Sequence, residues 1–118
     1  MNLKAQEILN RIKKIIKEIF NVTNTFSKSK GAYKISGQIM DSTTSIGANF
    51  VEAQSARSKK EFISTIGIVL KETKETLFWL EIIEELELTS KEKLVNIYKE
   101  CSELSKIFTS IIITSSKK

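Results

Sequence analysis

Residues 76–97 read TLFWLEIIEELELTSKEKLVNI, and the fold follows from them. The first part alternates apolar residues with glutamate and contains no glycine or proline, which is typical of a helix. Thr89-Ser90-Lys91-Glu92 then has the spacing of a capping box, which begins a new helix. Because so short a connection leaves no room for a crossover, the two helices must run antiparallel.

The helix before this turn is predicted over residues 58–87, since Ser58-Lys59-Lys60-Glu61 is a second capping box. Most of its apolar residues recur every three or four positions, but further apolar residues widen the stripe beyond one face of the helix. A helix this apolar needs one partner inside the bundle and another outside it. The residues predicted for the outer contact, between copies of the chain in a ring-like assembly, are Phe78, Trp79 and Ile82.

The last helix carries an apolar seam of heptad type. Cys101 lies within this seam, so it is interpreted as a small buried hydrophobe rather than a reactive thiol. The seam comprises Leu94, Ile97, Cys101, Leu104, Phe108 and Ile111.

The first helix has one apolar face and should end before a polar turn at residues 27–31. That face comprises Ile8, Leu9, Ile12, Ile15, Ile16, Ile19 and Phe20. A second helix, over about residues 34–55, is rich in small residues, which let helix axes approach closely. Gly47 and Ala48 are predicted at such a contact, near Ser42, Thr43 and Ser45. The predicted fold is all-α, an antiparallel up-down-up-down four-helix bundle, with one domain over residues 1–118.

The sequence offers little catalytic chemistry. It contains no histidine, and its four glycines are dispersed without a phosphate-binding loop. Glu72 and Glu75 suggest a metal site only weakly, because the di-iron pattern needs histidine, and a surface ladder of charges explains them better. Asn49 and Glu52 are interpreted as hydrogen-bonded or ion-paired structural residues. We expect no catalytic residue, no metal and no cofactor.

The net charge of +5 is unevenly distributed. Residues 1–34 hold eight basic and two acidic side chains, whereas the rest of the chain holds eleven and twelve. Arg11, Lys13, Lys14 and Lys17 are therefore candidates for binding a polyanion such as RNA or DNA. The alternative is a solvated helix face that only keeps the protein in solution.

We expect a cytoplasmic location without membrane contact. The N-terminus lacks the apolar stretch of a signal peptide, and the apolar runs are too short to span a bilayer. A single cysteine allows no disulfide within the chain, which fits a reducing compartment.

Three segments together resemble a known bacterial family. SIGANFVEA at residues 45–53, SKKEF at 58–62 and KETKETLFWL at 71–80 are similar to four-helix-bundle proteins of the 23S rRNA intervening-sequence type. The resemblance covers about residues 33–113 well and the first helix in outline. It places these residues on the family's characteristic positions: Ser45, Ile46, Asn49, Glu52, Phe62, Glu75 and Leu80.

Members of that family resemble the accessory protein of diversity-generating retroelements, a basic pentameric bundle thought to bind nucleic acid and a reverse transcriptase. The resemblance therefore implies a non-enzymatic homo-oligomer, a pentamer, that binds or scaffolds RNA or DNA. The alternative is a protein–protein interaction module with no nucleic-acid role, such as one half of a two-component system. An enzyme is the third and least supported interpretation.

Overall fold

A computed structural model of the protein describes residues 1–117. They form four helices, α1 (Leu3–Thr23), α2 (Lys30–Ala53), α3 (Lys59–Glu85) and α4 (Lys91–Ser116). α1 packs against α2 and α4, and α3 packs against the same two helices. The chain is thus an all-α bundle in which sequential helices run antiparallel, as the sequence predicts. None of the four helices has the length and apolar content needed to cross a membrane.

The start of α2 differs from the sequence prediction. The side-chain oxygen of Ser29 accepts a hydrogen bond from the Ala32 N–H at 3.1 Å, so the helix begins at Lys30. The predicted start near residue 34 is wrong because an N-cap serine outweighs the helix-weakening effect of Gly31 in the first turn.

The two predicted capping boxes have different outcomes. Ser58 caps α3 as expected, accepting from the Glu61 N–H at 3.0 Å. The Glu61 carboxylate, however, accepts from the N–H of Arg57 at 3.0 Å, one residue before the cap, rather than from that of Ser58. At α4, however, the cap residue is Ser90, whose side chain makes no cap hydrogen bond. The Thr89 hydroxyl instead lies 3.2 Å from the Thr25 hydroxyl, and this contact links the α3–α4 turn to the α1–α2 loop. The capping box predicted at Thr89 is therefore wrong.

The α3–α4 turn is nevertheless short, because α3 ends in a Schellman motif. Glu87 adopts a left-handed conformation with φ of 52°. Its N–H donates to the Glu84 carbonyl at 3.0 Å, and the Leu88 N–H donates to the Ile83 carbonyl at 3.1 Å. The chain reverses within these few residues and enters α4 antiparallel to α3.

Buried hydroxyl groups line the contact between α2 and α3. Ser42 Oγ lies 2.8 Å from Thr76 Oγ1, and both residues are buried. Thr43 and Thr73, the other buried polar residues of the described chain, donate to carbonyls of their own helices at 2.6 and 2.8 Å. Each hydroxyl thus has a partner, so these polar groups are buried without the penalty of an unmade hydrogen bond.

Gly47 lies at the contact between α1 and α2. A Cβ added there would lie 3.4 Å from Ile16 Cδ1 and 3.5 Å from Ile12 Cγ2. The predicted close approach is confirmed for Gly47. It is wrong for Ala48, which is exposed because the next residue on a helix points about 100° away.

All four helices contribute to one core, which includes an aromatic pair between α2 and α4. The Phe50 and Phe108 rings have centroids 6.1 Å apart. Cys101 is fully buried in this core, so its interpretation as a small hydrophobe is confirmed. Burial, and to a lesser extent the negative charges of Glu100 and Glu18, raises the pKa of the Cys101 thiol to about 12.

Replacing Gly47 with leucine should lower the free energy of unfolding by about 1–3 kcal/mol, because the added atoms overpack the contact with Ile12 and Ile16. Ala48→Leu is the matched control and should change it by less than about 0.5 kcal/mol. Urea unfolding followed by circular dichroism measures both values. Equal losses in the two variants would contradict the contact described here.

The raised pKa of Cys101 predicts a dependence of stability on pH. The folded thiol keeps its proton up to about pH 12, whereas the ordinary pKa is 9.0. Between these values the unfolded state binds fewer protons, so the free energy of unfolding falls as pH rises, by about 1.4 kcal/mol per pH unit from this group. Cys101→Ala should show a correspondingly shallower slope above about pH 9 in urea titrations. Identical slopes in the two proteins would refute this contribution.

Candidate functional site

The four basic residues predicted to bind nucleic acid lie on the solvent side of α1, but on two edges of it. Lys13 and Lys17 are one helical turn apart and share one edge. Arg11 and Lys14 share the other edge, which lines a groove along α4. The three lysines are exposed and Arg11 is half-buried. The structure therefore does not bring the four residues together into one compact patch.

Arg11 makes an ion pair with α4. Its Nε donates to Glu100 Oε1 at 2.7 Å, across 89 residues of sequence. Both side chains remain more than a third exposed, and ion pairs at such positions contribute about 0–1 kcal/mol to stability. No sequence signal identifies Glu100 as the partner, since the pairing depends on how α4 returns beside α1.

The seam between α1 and α4 is open on both sides of this ion pair. One groove, of about 660 Å³, has mixed charge, because acidic side chains lie among Arg11, Lys14 and Lys99. These acids are Glu18, Glu100 and Glu103. The other groove, of about 820 Å³, reaches apolar side chains that include Ile107 and Ile111. The acids next to Lys14 reduce the positive potential on this edge of α1, whereas Lys13 and Lys17 lie outside the groove.

Three of the family-characteristic residues share one face of α2. Ser45, Asn49 and Glu52 are spaced by four and three positions. The half-buried Asn49 donates from Nδ2 to the Ser45 carbonyl at 2.9 Å, so its amide is hydrogen-bonded as expected. The expected structural pairing of Glu52 is wrong, because its exposed carboxylate has no hydrogen bond or ion pair within residues 1–117.

Glu75, the remaining family-characteristic residue of the candidate site, is exposed on α3 near other carboxylates. Partial burial, together with repulsion from Glu75 and Asp41, raises the pKa of Glu72, and the nearby Lys71 opposes the shift. These acids do not converge. Among the residues that the structure describes, no three acidic or cysteine side chains are placed to hold a metal ion.

The three residues predicted for contact between copies are exposed to different degrees. The Phe78 side chain is 49% exposed, while Trp79 and Ile82 are half-buried. The Phe78 and Trp79 rings meet edge to face with centroids 5.0 Å apart. In the described chain Trp79 Nε1 is buried without a hydrogen-bond acceptor, at a typical cost of about 1–3 kcal/mol.

Several exposed apolar side chains were not identified as surface residues from sequence. On α3 these are Ile68 and Leu86, and on α1 and α2 they are Phe20 and Tyr33. The prediction that Phe20 lies on the buried face of α1 is wrong. It follows Lys13 and Lys17 at positions i, i+4 and i+7, so it continues their exposed stripe and is 46% exposed.

The chain is similar to proteins of one family along nearly its whole length. Residues 4–110 match the family model described as "23S rRNA-intervening sequence protein", so the similarity includes α1. A crystal structure of a protein of unknown function, from the S23 ribosomal protein family of Bacteroides thetaiotaomicron, has a TM-score of 0.82 and 33% identity. That match covers 89% of this chain and 97% of the other. No curated protein matches this chain.

Proposed function

The chain belongs to the 23S rRNA-intervening sequence protein family, and on that premise we propose that it is a non-enzymatic, homo-oligomeric helical bundle that binds or scaffolds RNA or DNA in the cytoplasm. It needs no cofactor for this role. The observation that carries the proposal is the presence of three exposed lysines on the solvent side of α1.

Lys13, Lys14 and Lys17 provide the phosphate contacts in this proposal. All three are exposed, and none has an ion-pair partner within residues 1–117. Arg11 contributes less, because Glu100 already neutralises it. Lysine binds phosphate as a point charge and releases counterions from the polyanion, so the contacts are independent of base sequence.

The proposed self-association would favour binding of a polyanion. Phe78 presents an apolar ring to solvent on α3, and a second copy would bury it. In a ring each subunit contributes its own α1 lysines. Once one subunit has bound a nucleic acid, the effective concentration of phosphates near the other subunits is high, so contacts that are weak individually add up. The resemblance to pentameric bundles favours five subunits.

The alternative is a protein-interaction module without a nucleic-acid role. It is favoured by the mixed charge around Lys14, where Glu18, Glu100 and Glu103 line the same groove. In that case the lysines of α1 only keep the protein in solution.

Light scattering at micromolar concentration should give a mass about five times the 13.4 kDa of one chain. Phe78→Asp should reduce this mass, because a charge would be buried at the subunit contact. Val95→Asp is the matched control, since Val95 is exposed to a similar degree on α4. A wild-type mass of one chain would refute homo-oligomerisation.

The purified protein should retain RNA or DNA at about 50 mM salt and lose it steeply as salt rises. Changing Lys13, Lys14 and Lys17 to glutamine should abolish retention while helicity and oligomer mass stay unchanged. Changing one lysine at a time gives variants whose residual affinity can be measured. In these variants the negative slope of log affinity against log salt should become shallower by roughly 0.9 for each duplex phosphate contact removed, or by roughly 0.7 for single strands.

The matched control changes Lys60, Lys74 and Lys93 to glutamine, which removes the same charge from exposed positions elsewhere. This variant should keep most of the binding. If the wild-type protein retains neither nucleic acid at low salt, the nucleic-acid proposal is refuted and the protein-interaction alternative becomes the better one.

A further inference from the structure

One exposed surface of α3 combines apolar side chains with a high density of negative charge. Phe78, Ile82 and Leu86 are spaced by four residues and form a ridge, in which Phe78 is 49% and Leu86 54% exposed. Residues 75–90 contain five glutamates and no basic side chain. We call this surface, the ridge and its glutamates, the acidic ridge.

A second exposed surface has the opposite charge. Residues 19–40, which comprise the end of α1, the α1–α2 loop and the first half of α2, contain Lys28, Lys30 and Lys34 and no acidic side chain. Two aromatic side chains lie among them, Phe20 at 46% and Tyr33 at 66% exposure. We call this surface the basic hairpin end.

Neither set of charges stabilises the helix that carries it. α2 has a lysine and no acidic residue in its first turn, although a helix N-terminus favours negative charge. α3 has glutamates and no basic residue in its last turn, although a helix C-terminus favours positive charge. Of the five ridge glutamates only Glu84 has an ion-pair partner within residues 1–117, Lys91 of α4 at 3.5 Å. The other four glutamates, and the lysines of the second surface, would gain from a partner of opposite charge.

We propose that the acidic ridge of one copy docks on the basic hairpin end of the next copy. This inference rests on the homo-oligomer proposed above and specifies its contact. Two acidic ridges, or two basic hairpin ends, would place like charges against each other. Of the possible pairings between these surfaces, only ridge on hairpin joins opposite charges and covers apolar side chains on both sides.

The position of the two surfaces fits a ring. They lie at the same end of the bundle, where the Thr25 and Thr89 hydroxyls join the two loops at 3.2 Å. No ion pair connects them within residues 1–117 of one copy. A contact between two different surfaces is heterologous, and such contacts close into a ring when the rotation between neighbours allows it.

The contact leaves two of the three proposed phosphate-binding lysines available, whereas Lys17 lies about one helical turn from Phe20 and borders the contact. Lys13 and Lys14 lie at least one helical turn further along α1, away from the loop that forms the hairpin end. Docking would therefore bring the α1 lysines of successive copies into a regular arrangement without burying all of them.

Charge reversal tests the pairing. One variant carries Lys28→Glu, Lys30→Glu and Lys34→Glu, and another carries Glu75→Lys, Glu85→Lys and Glu87→Lys. None of these six side chains makes an ion pair within the described residues. Each variant alone should fall to the 13.4 kDa mass of a single chain in light scattering. A chain carrying all six substitutions should regain the wild-type mass, because every contact again joins opposite charges.

The control reverses three exposed lysines toward the opposite end of the bundle, Lys4, Lys60 and Lys106, and should keep the wild-type mass, while circular dichroism checks that every variant is folded. If the wild type is oligomeric and the single-surface variants keep its mass, the pairing is refuted and the homo-oligomer stands. The pairing is also refuted if the six-substitution chain stays dissociated. A monomeric wild type refutes both.

Discussion

The hydroxyl pair between Ser42 and Thr76 fixes how α2 lies against α3. The two oxygens are 2.8 Å apart in the buried contact. If α3 slid by one turn, the hydrogen bond between the two hydroxyls would be lost, at a net cost of about 0.5–1.5 kcal/mol, because each hydroxyl could still donate to a carbonyl of its own helix. An apolar contact would resist such a slip less strongly, because hydrophobic burial is not directional. The register of α2 and α3 decides which residues share their outer surface.

The contact between α1 and α4 is of a different kind. It is the loosest of the four neighbouring pairs, with an exposed ion pair between Arg11 and Glu100 and a groove on either side. α1 is held mainly from the α2 side, where Gly47 lets Ile12 and Ile16 approach. The helix with the highest density of positive charge is therefore the one that packs least against the other helices.

Charge is also segregated at one end of the bundle, with lysines on the α1–α2 hairpin and glutamates at the end of α3. This arrangement opposes the dipoles of α2 and α3. Within residues 1–117 only Glu84 among these charges has an ion-pair partner, Lys91 at 3.5 Å, and apolar side chains such as Tyr33 and Leu86 lie exposed among the charges. These features are the basis of the contact proposed between copies of the chain.

The sequence by itself determined the four helices, their antiparallel order and the burial of Cys101, because apolar spacing and short turns are local properties of the chain. The tertiary structure alone decided that Arg11 pairs with Glu100. The same is true of Gly47, which faces α1 while Ala48 faces solvent. In each case the outcome depends on which helix lies beside the residue and on the register between the two helices. The neighbouring helix can be as far as 89 positions away in the sequence, so no local pattern encodes which helix it is or how it is aligned.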